Sequence, residues 1–183
     1  MAIQKISRAH HLVAAFFVIV ATSVTMMPRA WAASVKLIPD SAVVALGGQL
    51  TLQIVGDFDG DATLGGGMDL SFEEGDLDFV SFTPSGIGVE EYSRDPDVDA
   101  GALAGFAFGD FNGIGANGIL LGTIVFDVPE DANQGASNIS ITVSAGVAGP
   151  FASAKSFTRQ QIEFSDATVT ITDTLFSDAF EAL

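Results

Sequence analysis

From Ala33 onward the apolar residues of this chain fall on alternate positions. Val35 and Leu37, then Leu50, Leu52 and Ile54, then Met68, Leu70 and Phe72 are each separated by one residue, most often a polar one. A period of two is the signature of strands with one face turned inward. It recurs at Leu77 to Thr83, at Ile139, Ile141 and Val143, and in Ile162 to Thr172, where Phe164, Ala167, Val169 and Ile171 are the expected buried positions. The longest apolar stretch, Gly101 to Val128, predicts two buried strands. In the first, Ala102, Ala104, Phe106 and Phe108 alternate with Leu103, Gly105 and Ala107; the second carries Leu120, Gly122, Ile124, Phe126 and Val128.

Turn signals separate these runs. Gly47-Gly48, the segments DFDGDATLGGG and EEGD, GDFNGIGANG with its four glycines, and PEDANQGAS all favour loops. Pro39 cannot donate to a ladder, which predicts an edge strand followed by a short second strand and a central third. Pro84 to Ala100 is polar, with room for a short strand at Gly88 to Tyr92. No helical period of useful length occurs between Ala33 and Asp173, so the pattern predicts one all-β sandwich domain.

The first 32 residues differ in kind. Lys5 and Arg8 precede the apolar run Leu12 to Ala21, and Ala30-Trp31-Ala32 supplies small residues for cleavage. This is the pattern of a secretory signal peptide spanning 1–32. Its apolar core is shorter than the ~20 residues a membrane span needs, so removal is expected and a permanent membrane anchor is not. Removal leaves 151 residues with four basic and 23 acidic side chains, a net charge of −19. Such a surface repels nucleic acid and anionic lipid. With no cysteine in the chain, the exported domain must be held by packing, and the thirteen of the chain's fifteen phenylalanines that lie beyond the leader are expected to supply much of that core.

Candidate chemistry is sparse. Both histidines, His10 and His11, lie in the leader, which removes histidine-based and cysteine-based nucleophilic catalysis and ordinary zinc sites from the exported part. No pair of carboxylates stands out for glycoside hydrolysis, so no enzyme is expected. Asp57, Asp59 and Asp61 alternate in a way that suits a hard cation. Their spacing departs from a helix-flanked calcium loop, because Ala62 takes the glycine position and Met68 that of the bidentate glutamate. A solvated turn is therefore expected there and no cofactor is assigned, with calcium kept as an open alternative. Asp95, Asp97 and Asp99 carry the same discount. Trp31 is in the leader and Tyr92 is the chain's one tyrosine, so the aromatic platforms of many sugar-binding faces are missing.

Three segments in order, SVKLIPDSAVVALGGQLTLQIVG, GGGMDLSFEEGDLDFVSFTP and GIGANGILLGTIVFDV, resemble the cohesin domain family. The match to "Leu-x-Phe-Val-x-x-Thr-Pro" is carried by Leu77, Phe79, Val80, Thr83 and Pro84. That to the later apolar strand is carried by Gly118, Leu120, Ile124, Phe126 and Val128. The resemblance covers most of 33–173 and implies a nine-stranded antiparallel β-sandwich with jelly-roll topology, a fold shared with some carbohydrate-binding modules. It also implies a non-catalytic module that grips a partner, typically a calcium-loaded dockerin, through one sheet face formed by strands like the third, fifth, sixth and eighth. Carried over by alternation, the outward positions of that face are Thr51, Gln53, Ser81, Leu121, Thr123 and Val125.

The expected partner is thus an extracellular protein, bound by a monomer. Two alternatives stay open: a carbohydrate-binding accessory to polysaccharide breakdown, and a calcium-assisted structural or adhesive surface protein. Residues 174–183, TLFSDAFEAL, form a short acidic tail in which Leu175, Phe176, Ala179, Phe180 and Leu183 would share one helical face. The tail resembles a "Phe-Ser-Asp-Gly-Phe-Glu" ending of exported proteins, which implies a periplasmic or extracellular location in a Gram-negative bacterium.

Overall fold

The computed structural model describes residues 33–85, 93–146 and 149–173. The leader and its cleavage site, the strand expected at Gly88 to Tyr92 and the tail 174–183 lie outside the described residues. The rest is strand, turn and loop, with no helix among the described residues.

Twelve strands run in chain order: β1 (Ala33–Pro39), β2 (Val43–Ala45), β3 (Gln49–Asp57), β4 (Thr63–Ser71), β5 (Asp78–Pro84), β6 (Asp97–Asp99), β7 (Ala102–Ile114), β8 (Ile119–Asp127), β9 (Gly135–Val143), β10 (Ala152–Ser153), β11 (Ile162–Ser165) and β12 (Ala167–Thr172). Nine have four residues or more; β2, β6 and β10 are short additions of two or three. One sheet has the order β11-β1-β3-β8-β5. The other has the order β2-β12-β9-β4-β7-β6, with β10 sharing an edge of β4 with β9. The two sheets close as a jelly-roll sandwich.

Most neighbours are antiparallel, as expected, but two pairs are parallel, and both have the same cause. The last strand breaks at Asp166 and changes sheets, and the first does so between Pro39 and Val43. Half of each terminal strand then lies beside half of the other, β11 along β1 and β12 along β2. β1 is consequently flanked on both sides instead of forming an edge, and Pro39 stands where the chain leaves the sheet. The crossover is pinned by Asp166, whose carboxylate accepts hydrogen bonds from the Ile141 amide (2.9 Å) and the Ser140 hydroxyl (3.1 Å).

The core follows the alternation. Leu50, Leu52, Ile54, Phe106, Ile124, Phe126, Ile139 and Val169 are fully buried. Phenylalanines fill it in chains: Phe58, Phe108, Phe151 and Phe164 follow one another with ring centroids 5.5–6.2 Å apart, and Phe126 meets both Phe72 and Phe79 edge-on.

Two glycine-rich segments read as loops are largely strand. β4 starts at Thr63 and includes Gly65, Gly66 and Gly67, while β7 runs through Gly109 to Ile114, leaving a connection of only four residues before β8. In β4 the glycines serve close approach, since a Cβ on Gly66 would lie 2.6 Å from the Phe151 ring. The simple alternation in β7 also fails at one point. Met68 pairs with Phe106 but Leu70 pairs with Leu103, so a bulge at Ala104-Gly105 shifts the register and turns Leu103 into the core and Ala104 outward.

Candidate binding face

The five-stranded sheet brings together five of the six positions expected to meet a partner. On β3, alternation places Thr51 and Gln53 on the side opposite Leu50, Leu52 and Ile54. The ladders then set two rows across three strands: Thr51 opposite Val125 opposite Ser81, and Gln53 opposite Thr123 opposite Thr83. Ile38 extends the second row onto β1, beside Gln53. All are half-buried or exposed. Neighbouring strands lie about 4.7–4.9 Å apart, so these side chains form a close-set patch of hydroxyl, amide and aliphatic groups.

Leu121 does not belong to that patch. It is 1% exposed and part of the core. The reason is a bulge in β8: Ile54 pairs with Gly122 whereas Val55 pairs with Leu120, so one extra residue reverses the side-chain direction at Leu121. A second bulge, in β5 between Phe79 and Ser81, leaves Val80 on the surface at 47% exposure. Thr83 and Ile38 also join the face without having been singled out. Their alternation was visible, but the registers that align them with Gln53 were not.

The centre of the patch is uncharged. Asp78 and Asp127 pair at one end, with Gln49 donating to Asp127 at 3.1 Å, and Lys36 stands opposite Val55 toward the other. This array can pack and hydrogen-bond. It holds no histidine or cysteine to act as nucleophile or base.

The Asp57 to Asp61 turn is held by one side-chain hydrogen bond of its own and by two from the segment around β10. The Asp57 carboxylate accepts from the Asp59 amide (3.2 Å) and that of Asp61 from the Ser153 hydroxyl (2.7 Å), while Gln160 donates to the Asp61 carbonyl. Phe58, between them, is buried in the core. Among the described residues no three carboxylates converge as a metal-binding group. Asp97 is engaged by Arg94 at 2.8 Å and Asp99 by the Ala100 amide. Two phenylalanines stand outside the core: Phe111, beside a shallow groove of about 350 Å³ bordered by Leu64 and Pro150, is 80% exposed, and Phe157 is 77% exposed.

No protein-family model matches the sequence, and no curated protein does. Solved structures do match, and they define the class: the fold is that of the cohesin modules. The seventh ScaB type I cohesin from Pseudobacteroides cellulosolvens superposes with a TM-score of 0.62 at 15% identity, covering 77% of this chain and 94% of its own. CaCohA2 from Clostridium acetobutylicum gives 0.60 at 17% identity, covering 77% and 92%. A non-cellulosomal cohesin from the hyperthermophilic archaeon Archaeoglobus fulgidus gives 0.54 at 14% identity, covering 76% and 91%. The present chain is thus a cohesin-like sandwich, similar to these modules in fold.

Proposed function

We propose that this protein is an exported, monomeric, non-catalytic module that binds another extracellular protein through the outer face of its five-stranded sheet. The observation that carries this reading is the aligned, uncharged patch of Thr51, Gln53, Ser81, Thr83, Thr123 and Val125 on three adjacent strands. Its flat, part-apolar centre and charged ends resemble the organisation of protein interfaces, where charge is depleted at the core and kept at the rim. The fold supports it: among the similar structures are a type I cohesin–dockerin complex from Clostridium thermocellum and an Acetivibrio cellulolyticus cohesin with a Cel5 dockerin. The A. fulgidus relative is named as non-cellulosomal, so the fold is not tied to one assembly. The leader-like first 32 residues and the ending TLFSDAFEAL support a periplasmic or extracellular place in a Gram-negative bacterium.

The test is capture of the organism's own secreted proteins on the immobilised protein, with calcium and with chelator, identified by mass spectrometry. Specific retention of a protein, competed by soluble module, is the expected result. Retention of none, at protein concentrations above 100 µM where weak (~10⁻⁴ M) binding would still register, overturns it.

A second reading draws on the exposed rings of Phe111 and Phe157, which could pack on sugar faces. Affinity electrophoresis in plant and microbial glycans separates it from the first: retardation that Phe111→Ala or Phe157→Ala abolishes would favour the glycan.

A further inference from the structure

At one end of the sandwich the turn from β4 to β5 meets the connection from β8 to β9. Between them is a cavity of about 450 Å³ whose wall includes Glu73, Asp76, Asn133 and Ser137. Two buried polar groups line it, one with a single neutral side-chain partner and the other with none. Asp76 is only 4% exposed, a depth that carboxylates almost never reach without a cationic or metal partner. The side-chain hydrogen bond recorded for it comes from the neutral Asn133 amide at 3.2 Å, and the one ion pair among the described residues, Arg94 with Asp97, is elsewhere. Ser137, on the inward side of β9, is 2% exposed, and its hydroxyl oxygen has no hydrogen-bond partner. A buried hydroxyl left in that state costs about 1–3 kcal/mol unless something in the cavity supplies the contact.

We propose that this cavity is a calcium site. Every donor in it is a hard oxygen: the carboxylates of Asp76 and Glu73, the Ser137 hydroxyl, and the Asn133 side-chain carbonyl once its amide is turned about. Calcium accepts 6–8 such ligands in flexible geometry and readily completes its shell with water, for which the cavity has room. Zinc and copper prefer nitrogen or sulfur donors, and none is present in this set of side chains. An ion here gives the Asp76 carboxylate a counter-charge and the Ser137 oxygen a partner. It also joins the two sheets, because Asp76 leads into β5 and Asn133 into β9. The site is separate from the Asp57 to Asp61 turn, whose Asp57 and Asp61 side chains already accept hydrogen bonds from the Asp59 amide and the Ser153 hydroxyl, and from the sheet face, so the proposal holds whether or not that face takes a protein.

Calorimetric titration and thermal unfolding of the purified protein, freed of divalent ions by chelation and gel filtration, test it at physiological ionic strength. Calcium chloride is expected to bind with a stoichiometry of one, and at a hundredfold excess over Kd to raise Tm by about 5–10 °C. Magnesium is expected to do much less. Asp76→Asn should abolish both effects, and Asp59→Asn should leave both intact. Absence of heat and of a Tm shift in the unmodified protein overturns the proposal. So does a shift that Asp76→Asn retains, or weak multi-site binding that Asp59→Asn reduces equally, which marks adsorption to the acidic surface only. Should Asp76→Asn fail to fold, Glu73→Gln and Ser137→Ala decide: each is expected to weaken binding about tenfold, and an unchanged Kd in both overturns the site.

Discussion

The carboxylate of Asp69 on β4 accepts a hydrogen bond of 2.7 Å from the backbone amide of Gly105 on β7. This contact holds the bulge that turns Leu103 into the core. Gly105 sits at φ 71°, a region costly to other residues, and the nearest atoms to an added Cβ belong to Arg94 at 3.6 Å, so space is not limiting. Asp69→Ala leaves a buried amide without its charged acceptor and is expected to cost about 1.5–3 kcal/mol in urea unfolding. Gly105→Ala is expected to cost only the conformational penalty, about 1–2 kcal/mol.

Thr51→Arg and Thr123→Arg place long charged side chains in the middle of the proposed face. Both positions point outward, so stability should change by about 0.5 kcal/mol or less. Capture of a partner should fall about tenfold or more, equivalent to at least ~1.4 kcal/mol. Unchanged capture would remove the five-stranded face from consideration. Leu121→Ala, two residues before Thr123 on β8, should behave in the opposite manner, costing about 2–5 kcal/mol of stability as a core truncation.

Phenylalanine rings lie on strand glycines at several points, and the glycines differ in how far their neighbours can yield. A Cβ on Gly66 would meet both the ring and the Cα of Phe151, at 2.6 and 2.7 Å. One on Gly122 would meet the Phe82 ring at 2.5 Å, but that ring is only part-buried and can move. Gly66→Ala is therefore expected to fall at or above the top of the ~1–3 kcal/mol range for overpacking, and Gly122→Ala near its bottom. Thermal unfolding of the two variants gives the ranking.

Asp166→Ala removes both hydrogen bonds that fix the sheet crossover of the last strand. A loss of about 1–3 kcal/mol is expected, together with faster hydrogen exchange at the Ile141 amide. Exchange unchanged at Ile141 would mean that backbone pairing alone holds the crossover.

Much of this arrangement was legible from residue order. Leu50, Leu52 and Ile54 are inside and Thr51 and Gln53 outside, as alternation requires, because β3 is regular over that stretch. Leu121 went astray, and the simple alternation of β7 broke at Ala104-Gly105, for a shared reason: a bulge inserts one residue and reverses the direction of the next, yet leaves no mark in composition. The glycines of β4 misled in another way, since a glycine needed for close packing looks the same in a sequence as one needed for a turn. Asp76 and Ser137 drew no notice because their isolation depends on which of 23 acidic and many hydroxyl side chains the fold encloses.

The exchange of sheets by the first and last strands has a kinetic side. β1 finds its parallel partner more than a hundred residues later, in β11, and β2 waits for β12. Loop closure over such a span slows folding, and until residue 172 is available β1 and β9 present bare edges to their surroundings. Any machinery that delivers this chain from its N-terminus releases the sealing strands last, so the nascent domain stays open, and vulnerable to proteases and to mispairing with its neighbours, until delivery is complete.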